Sequence, residues 1–377
     1  MLVSGAWSDF FLGALAGIFG STVLLGLYVQ RGSRKKTSSL LRRREEKIRH
    51  AQHLRLSMGP HIVALGGGTG LSTLLRGLKR YTRNITAVVT VSDEGGSSGR
   101  LRQEWGMLPP GDIRNCIVAL AEDDNYLNNI LNFRFDRGEL SGHNLGNLIL
   151  LAATEIAGDF RTAVEEMNNL LAIRGRVLPV TTEAIQITAK LQDERILRGE
   201  LEISKEGSFI RDIWLEPSDV TPLPEILEAI EKADILVLGP GSLFTSVLPN
   251  LLVPDIAKAL RESGKPIIYV ANLMTQPGET EFLSFEDHIF WIKKLLQKWP
   301  DYVFANNGTI PKNIIEKYKR DGAVPLTDSK ESSDYTCIAE DFLTIERDLL
   351  RHNSNRLAEE IIRLYKYATP SQEYEKL

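Results

Sequence analysis

The stretch "HIVALGGGTGLSTLLRGL", residues 61–78, decides the fold. Residues 62–65 are an unbroken apolar run of strand length. Glycines follow, and then Leu71, Leu74, Leu75 and Leu78 recur at helical spacing. A glycine turn between strand and helix lets backbone approach a ligand closely. The free N–H groups of the helix N-terminus then attract an anion, most often a phosphate. The Lys of an ATPase phosphate loop is missing, and Gly66, Gly68 and Gly70 put the third glycine too early for the dinucleotide fingerprint.

The same grammar recurs along the chain. "ITAVVTV" (85–91), "ILVLG" (235–239), "PIIYVAN" (266–272) and "YVFANN" (302–307) are further apolar strands. Helical periodicity predicts helices over 71–80, 112–121, 144–157, 160–172, 223–232, 254–263, 286–298, 311–319 and 353–366. Continuous apolar strands between amphipathic helices predict an α/β fold, a Rossmann-like, doubly wound, mostly parallel sheet covered on both faces. Residues 184–217 ("AIQITAKLQD", "RILRGELEIS", "FIRDIWLEP") alternate apolar and polar instead, which predicts a small antiparallel β insertion with "KEGS" (205–208) as a hairpin turn.

In a doubly wound sheet the ligand sits beyond the carboxyl ends of the strands, where strand order reverses. Three glycine loops should converge there. "GGGTGLS" supplies Gly67, Gly68, Thr69, Gly70 and Ser72; "SDEGGSSGRLR" supplies Asp93, Gly96, Ser97, Ser98 and Arg100; "GPGS" supplies Gly241 and Ser242. Asp93 and Glu94 suit a ribose, a sugar or a carboxylate-held Mg²⁺ beside a phosphate. Asp112 is placed to cap a helix N-terminus, with Arg114 and Asn115 on its first turn. His143, Asn144 and Asn147 start another helix, and His143 is either a base or a structural histidine. Asn272, Thr275, Gln276 and Glu279 follow the "PIIYVAN" strand. No Ser-His-Asp or Cys-His arrangement can be assembled.

Among 377 residues, two cysteines and six scattered histidines offer neither a disulfide framework nor zinc spacing. Residues 10–29, "FFLGALAGIFGSTVLLGLYV", carry no charge. At 1.5 Å per residue they span about 30 Å, the thickness of a bilayer core. Residues 31–55 hold ten Lys/Arg against two Glu. The expected organisation is a transmembrane anchor over 1–30, a basic juxtamembrane linker over 31–59 and a nucleotide-binding domain over 60–370. By the positive-inside rule the body lies on the cytoplasmic face of the cell membrane. With −1 in residues 1–30 and a total of −4, residues 56–377 sum to −11, which argues against sequence-independent nucleic-acid binding.

Taken in order, "GGGTGLS", "DEGGSSGRLR", "PPGDIRNC", "GHNLGN", "GPGSLFTSVLPNLLV" and "NLMTQPGET" resemble the signature blocks of the YvcK-type gluconeogenesis factors, in the CofD-like superfamily of 2-phospho-L-lactate transferase. The resemblance runs from about Pro60 to Ala368. It implies a nucleotide-diphosphate ligand, with a UDP-sugar expected from the YvcK branch, and a regulatory role in growth on gluconeogenic carbon and in cell shape. From the transferase branch it implies guanosine diphosphate chemistry with Mg²⁺. Gly67, Gly68, Thr69 and Gly70 would meet the diphosphate. Asp93 would sit at the metal or substrate position, and Gly241, Ser242 and Asn272 would close the site. The second acidic position, often Asp in the family, is Glu94 here. Asp93 is the one candidate for catalysis, and a homo-oligomer is a candidate assembly.

Overall fold

The structure is a computed structural model that describes residue 47 and residues 50–122, 125–207, 209–327 and 332–368. The chain divides into two units, Met1–Ser57 and Met58–Leu377. Of the first, residues 50–57 are helical. The anchor expected over 10–29 and most of the basic linker lie outside the described residues. Among the described residues no single helix is long and apolar enough to cross a membrane.

Among the described residues the second unit has twelve strands: β1 (Ile62–Gly66), β2 (Ile85–Val89), β3 (Arg176–Pro179), β4 (Gln186–Leu191), β5 (Ile196–Arg198), β6 (Ile210–Glu216), β7 (Ile235–Leu238), β8 (Ile267–Val270), β9 (Tyr302–Asn306), β10 (Thr336–Glu340), β11 (Leu343–Glu346) and β12 (Leu349–His352). Seven of them form one sheet in the order β10-β9-β8-β7-β1-β2-β3, and every neighbouring pair is parallel. All residues of β1, β2, β7 and β8 are buried, as a strand covered on both faces requires. The chain winds outward from β1 to β3, returns to lay β7 beside β1, and then winds the other way. The reversal falls between β1 and β7, so the glycine loops after these two strands are neighbours.

The helix Gly68–Leu78 packs on the helices Gly111–Leu120 and Ser354–Ala368. Gly77 makes the second crossing close, because a Cβ there would lie 1.9 Å from the Ser354 carbonyl oxygen. The insertion is the antiparallel sheet β5-β4-β6, with one change from expectation. "ELEIS" belongs to a helix, Glu200–Glu206, and does not continue β5. Gly199, at φ 88, turns the chain out of the strand, and Ile203 buries its side chain while Glu202 and Glu206 face outward. Residues 205–206 therefore end that helix, and Ser208 lies outside the described residues.

The serine-rich segment after Asp93 also departs from a loop: Gly96–Trp105 is helical. Gly96 enters at φ 49, and Gly99 lets the first turn press against Glu94, whose carbonyl oxygen a Cβ would meet at 1.9 Å. The edge strands β3 and β10 were not expected. "RVLP" and "TCIAE" are short and half-buried, so they lack the apolar run of a central strand.

Candidate functional site

The first and third glycine loops touch. A Cβ on Gly70 would lie 2.4 Å from the Pro240 carbonyl oxygen and 2.9 Å from the Gly241 nitrogen. Gly68 sits at φ 62, a conformation that L side chains rarely adopt. These loops open onto a cavity of about 390 Å³. Its walls bring together Thr69, Gly70 and Thr73 from the first loop and helix, Gly241 and Ser242 from the third loop, and Asn272 and Gln276 from the turn after β8. Tyr318, Arg351 and His352 complete it from the carboxyl-terminal elements.

A relay of amides orders this wall. Asn272 Nδ2 donates to Gln276 Oε1 at 3.1 Å, and Gln276 Nε2 donates to Ser242 Oγ at 2.8 Å. That fixes the Asn272 amide and leaves its buried Oδ1 with no donor. His352 Nε2 lies 3.1 Å from the Ala271 carbonyl oxygen, and burial pushes its imidazole down to about 4, so it is neutral at physiological pH. Behind the third loop, Glu279 accepts the Phe244 N–H at 2.9 Å, and burial pushes its carboxyl up to about 7. Glu279 holds the loop from below and does not line the cavity.

The second loop stands on the other side of the Gly67–Gly68 turn. Asp112 joins the two. It was expected as an N-cap, but Pro110 takes that position and Asp112 stands inside the first turn of its helix. Its carboxylate accepts from the Gly68 N–H, and a Cβ on Gly67 would lie 2.7 Å from its Oδ2. Burial, and then the charge of Asp93, push Asp112 up to about 7. Glu200, from the insertion, is hydrogen-bonded to Asp93 and accepts the Glu94 N–H at 2.8 Å; burial and then Asp93 raise it. A carboxyl–carboxylate hydrogen bond needs one shared proton.

Several expected ligand groups face inward instead. Ser72 donates to the Thr69 carbonyl at 3.0 Å within its own helix. Ser98 Oγ accepts the Gly111 N–H, and a Cβ on Gly111 would meet it at 2.3 Å. Ser97 Oγ accepts from the Asn144 N–H and from Asn147 Nδ2, at 3.3 and 3.2 Å, and lies 3.3 Å from His143 Nδ1. Arg100 binds the Ser141 carbonyl. Asn144 caps its helix by accepting the Asn147 N–H. Burial, followed by Arg100, lowers the His143 imidazole. Glu94 turns beneath the insertion, where Gln186 Nε2 donates to it at 3.0 Å and a Cβ on Gly199 would meet it at 2.0 Å.

Carboxylate oxygens suit Mg²⁺ by type. Among the described residues, however, no group of three His, Cys, Asp or Glu is arranged to hold a metal ion. Asp93 and Glu200 face each other there as a pair.

The sequence reading missed Tyr318, Arg351 and His352. "LLRH" carries no glycine or motif, and only the β11–β12 hairpin brings it to the cavity.

A parallel, doubly wound sheet with paired glycine loops at its reversal defines an α/β protein whose ligand crevice is expected at that reversal. The family model described as 2-phospho-L-lactate transferase CofD matches residues 62–343, and the chain belongs to that family. It is similar to the gluconeogenesis factor of Bacillus subtilis (strain 168), with 42% identity over 315 residues, 81% of this chain and 98% of that protein. The gluconeogenesis factor of Halalkalibacterium halodurans is 43% identical over 307 residues, 80% of this chain and 95% of that protein. A crystal structure of a UPF0052 family member from Bacillus halodurans matches with a TM-score of 0.77 at 43% identity, covering 80% of this chain and 98% of that one.

Proposed function

We propose that the chain is a UDP-sugar-binding regulatory protein, linking nucleotide-sugar supply to growth on gluconeogenic carbon and to cell shape. The carrying observation is the cavity that the first and third glycine loops share, with Gly70 packed on the Pro240–Gly241 backbone and Thr69, Gly241 and Ser242 in one wall. The diphosphate would then lie against the N–H groups at the start of the helix Gly68–Leu78, with Arg351 as counter-charge, and the sugar would extend toward Asp93. Similarity to gluconeogenesis factors supports the metabolic role.

A second reading, a Mg²⁺-dependent transferase of a phospho-compound, draws on the family description and on the Asp93–Glu200 pair, which could pass a proton beside the diphosphate. Calorimetry with UDP-N-acetylglucosamine, a guanosine nucleotide and NAD, with and without Mg²⁺, separates the two. On the regulatory reading Asp93→Asn weakens UDP-sugar binding by about 0.5–3 kcal/mol, the range of a hydrogen bond. On the transferase reading the same change lowers Mg²⁺-dependent turnover by about 10² or more. Tight binding of the guanosine nucleotide with no heat from any UDP-sugar would overturn the first reading.

The anchor belongs to this proposal too. The uncharged residues 10–29 and the basic flank after them support a single span holding the body at the cytoplasmic face of the membrane.

A further inference from the structure

The helix Leu145–Ala157 is apolar on both faces. Gly146, Asn147, Leu150 and Leu151 are buried against the body. Leu145, Ile149, Ala152 and Ile156, three and four residues apart, lie on the opposite face. Ala152 and Ile156 are exposed there, Ile156 by 87%, and Leu145 and Ile149 are half-buried. A helix that is apolar all round is ordinarily buried all round. Beside it the helix Asn125–Asn132 carries no charged residue, and Phe133, next after it, is 51% exposed. In a chain that is 25% charged, these two helices hold one charge, Glu155.

Two charges stand at the unfavourable ends of the helix Leu145–Ala157. Glu155 is exposed in its last turn, where the helix dipole is negative. Arg134 is exposed at its start, where the dipole is positive: its backbone bridges that of the N-cap Asn144, and its guanidinium donates to the Gly142 carbonyl at 2.7 Å. Neither meets an opposite charge at ion-pair distance among the described residues.

Under a two-fold rotation this face is its own complement. An antiparallel crossing centred between Ile149 and Ala152 sets Leu145 against Ile156 of the second copy. It sets the large Ile149 over the small Ala152 of the second copy, and it carries Glu155 of each copy to the helix start that Arg134 flanks in the other. Both misplaced charges are then neutralised. Two bodies of net charge −11 repel each other, so a face almost without charge is where they can approach. We propose that the outer face of the helix Leu145–Ala157 joins two copies of this chain in an antiparallel, two-fold dimer. The two helices, about 20 and 12 Å long and about 10 Å wide, give a footprint of roughly 350 Å² per copy. The total of ~700 Å² is below the ~1,200 Å² of a standard interface, so the dimer is a weak, reversible one. Asn144 and Asn147 at the start of the same helix grip Ser97, so the dimer contact and the second glycine loop share one helix.

Sedimentation velocity of the full chain in detergent, from about 1 to about 200 μM, tests this. The protein mass, corrected for bound detergent, should rise from 42.2 kDa toward twice that value. Ile156→Asp changes a side chain that is exposed in the single copy, so the fold should stay native by circular dichroism while self-association weakens at least about tenfold. Glu155→Arg and Arg134→Glu should each weaken association, and the double variant should recover it. A wild-type chain that keeps the mass of one copy throughout that range would overturn the proposal. So would unchanged association of Ile156→Asp, the result expected if another surface or residues 10–29 held the copies together, and so would a double variant no better than its single parents.

Discussion

Replacing Gly70 by Ala adds one methyl group where the two halves of the glycine-loop cavity meet. The new carbon would stand 2.4 Å from the Pro240 carbonyl oxygen and 2.7 Å from its carbonyl carbon, against 3.4–4 Å for ordinary contact. These are backbone atoms, so no side chain can swing aside, and the loops must part by about 1 Å. Overpacking of this kind costs roughly 1–3 kcal/mol of stability, a melting shift of a few degrees for a domain of this size. The larger effect falls on the ligand. A diphosphate spanning both loops would lose one or two charge-assisted hydrogen bonds at about 1.5–3 kcal/mol each, so affinity should drop at least about tenfold. Thermal unfolding and calorimetry with UDP-N-acetylglucosamine measure the two separately. Wild-type affinity in a Gly70→Ala protein that melts normally would refute the reasoning that these loops clasp one ligand.

Three further outcomes are expected. Gly68→Val places a β-branched residue at φ 62, where it is strained, and should abolish ligand binding while circular dichroism stays native. Glu279 is raised by burial from 4.5 to about 7, so its contribution to stability is full below pH 4.5 and is lost as pH rises through about 7. Urea unfolding at pH 5 and pH 8 should show a loss on the order of 3 kcal/mol from this group, and Glu279→Gln should flatten that slope. Carbonate extraction should leave the intact protein in the membrane pellet, and deletion of residues 1–30 should weaken that attachment; full release of the intact protein would contradict the proposed span.

The central strands and their glycine loops were legible from the chain alone, because a strand buried on both faces is apolar throughout and a turn at positive φ favours glycine. "IVALG" and "ILVLG" say this by themselves, and so do the helices whose leucines recur at 3.6-residue spacing. Edge strands have no such signature: "RVLP" is a strand only because β2 offers it a partner. "GGSSGRLR" lacks an apolar stripe, and its helix forms because Ser97 and Ser98 are gripped by His143, Asn144, Asn147 and Gly111 from distant segments. Those serines, expected to meet a ligand, were conscripted as struts. Asp112, Glu200 and Asp93 lie far apart in the chain, and Arg351 follows no motif. Composition marks each as polar; only the winding of the sheet decides which of them face one another and which face a cavity. Local sequence determines what a segment can become, since propensity and burial pattern act over a few residues. Which side chains share a site is a long-range matter, set by strand order and loop crossings that no short stretch encodes.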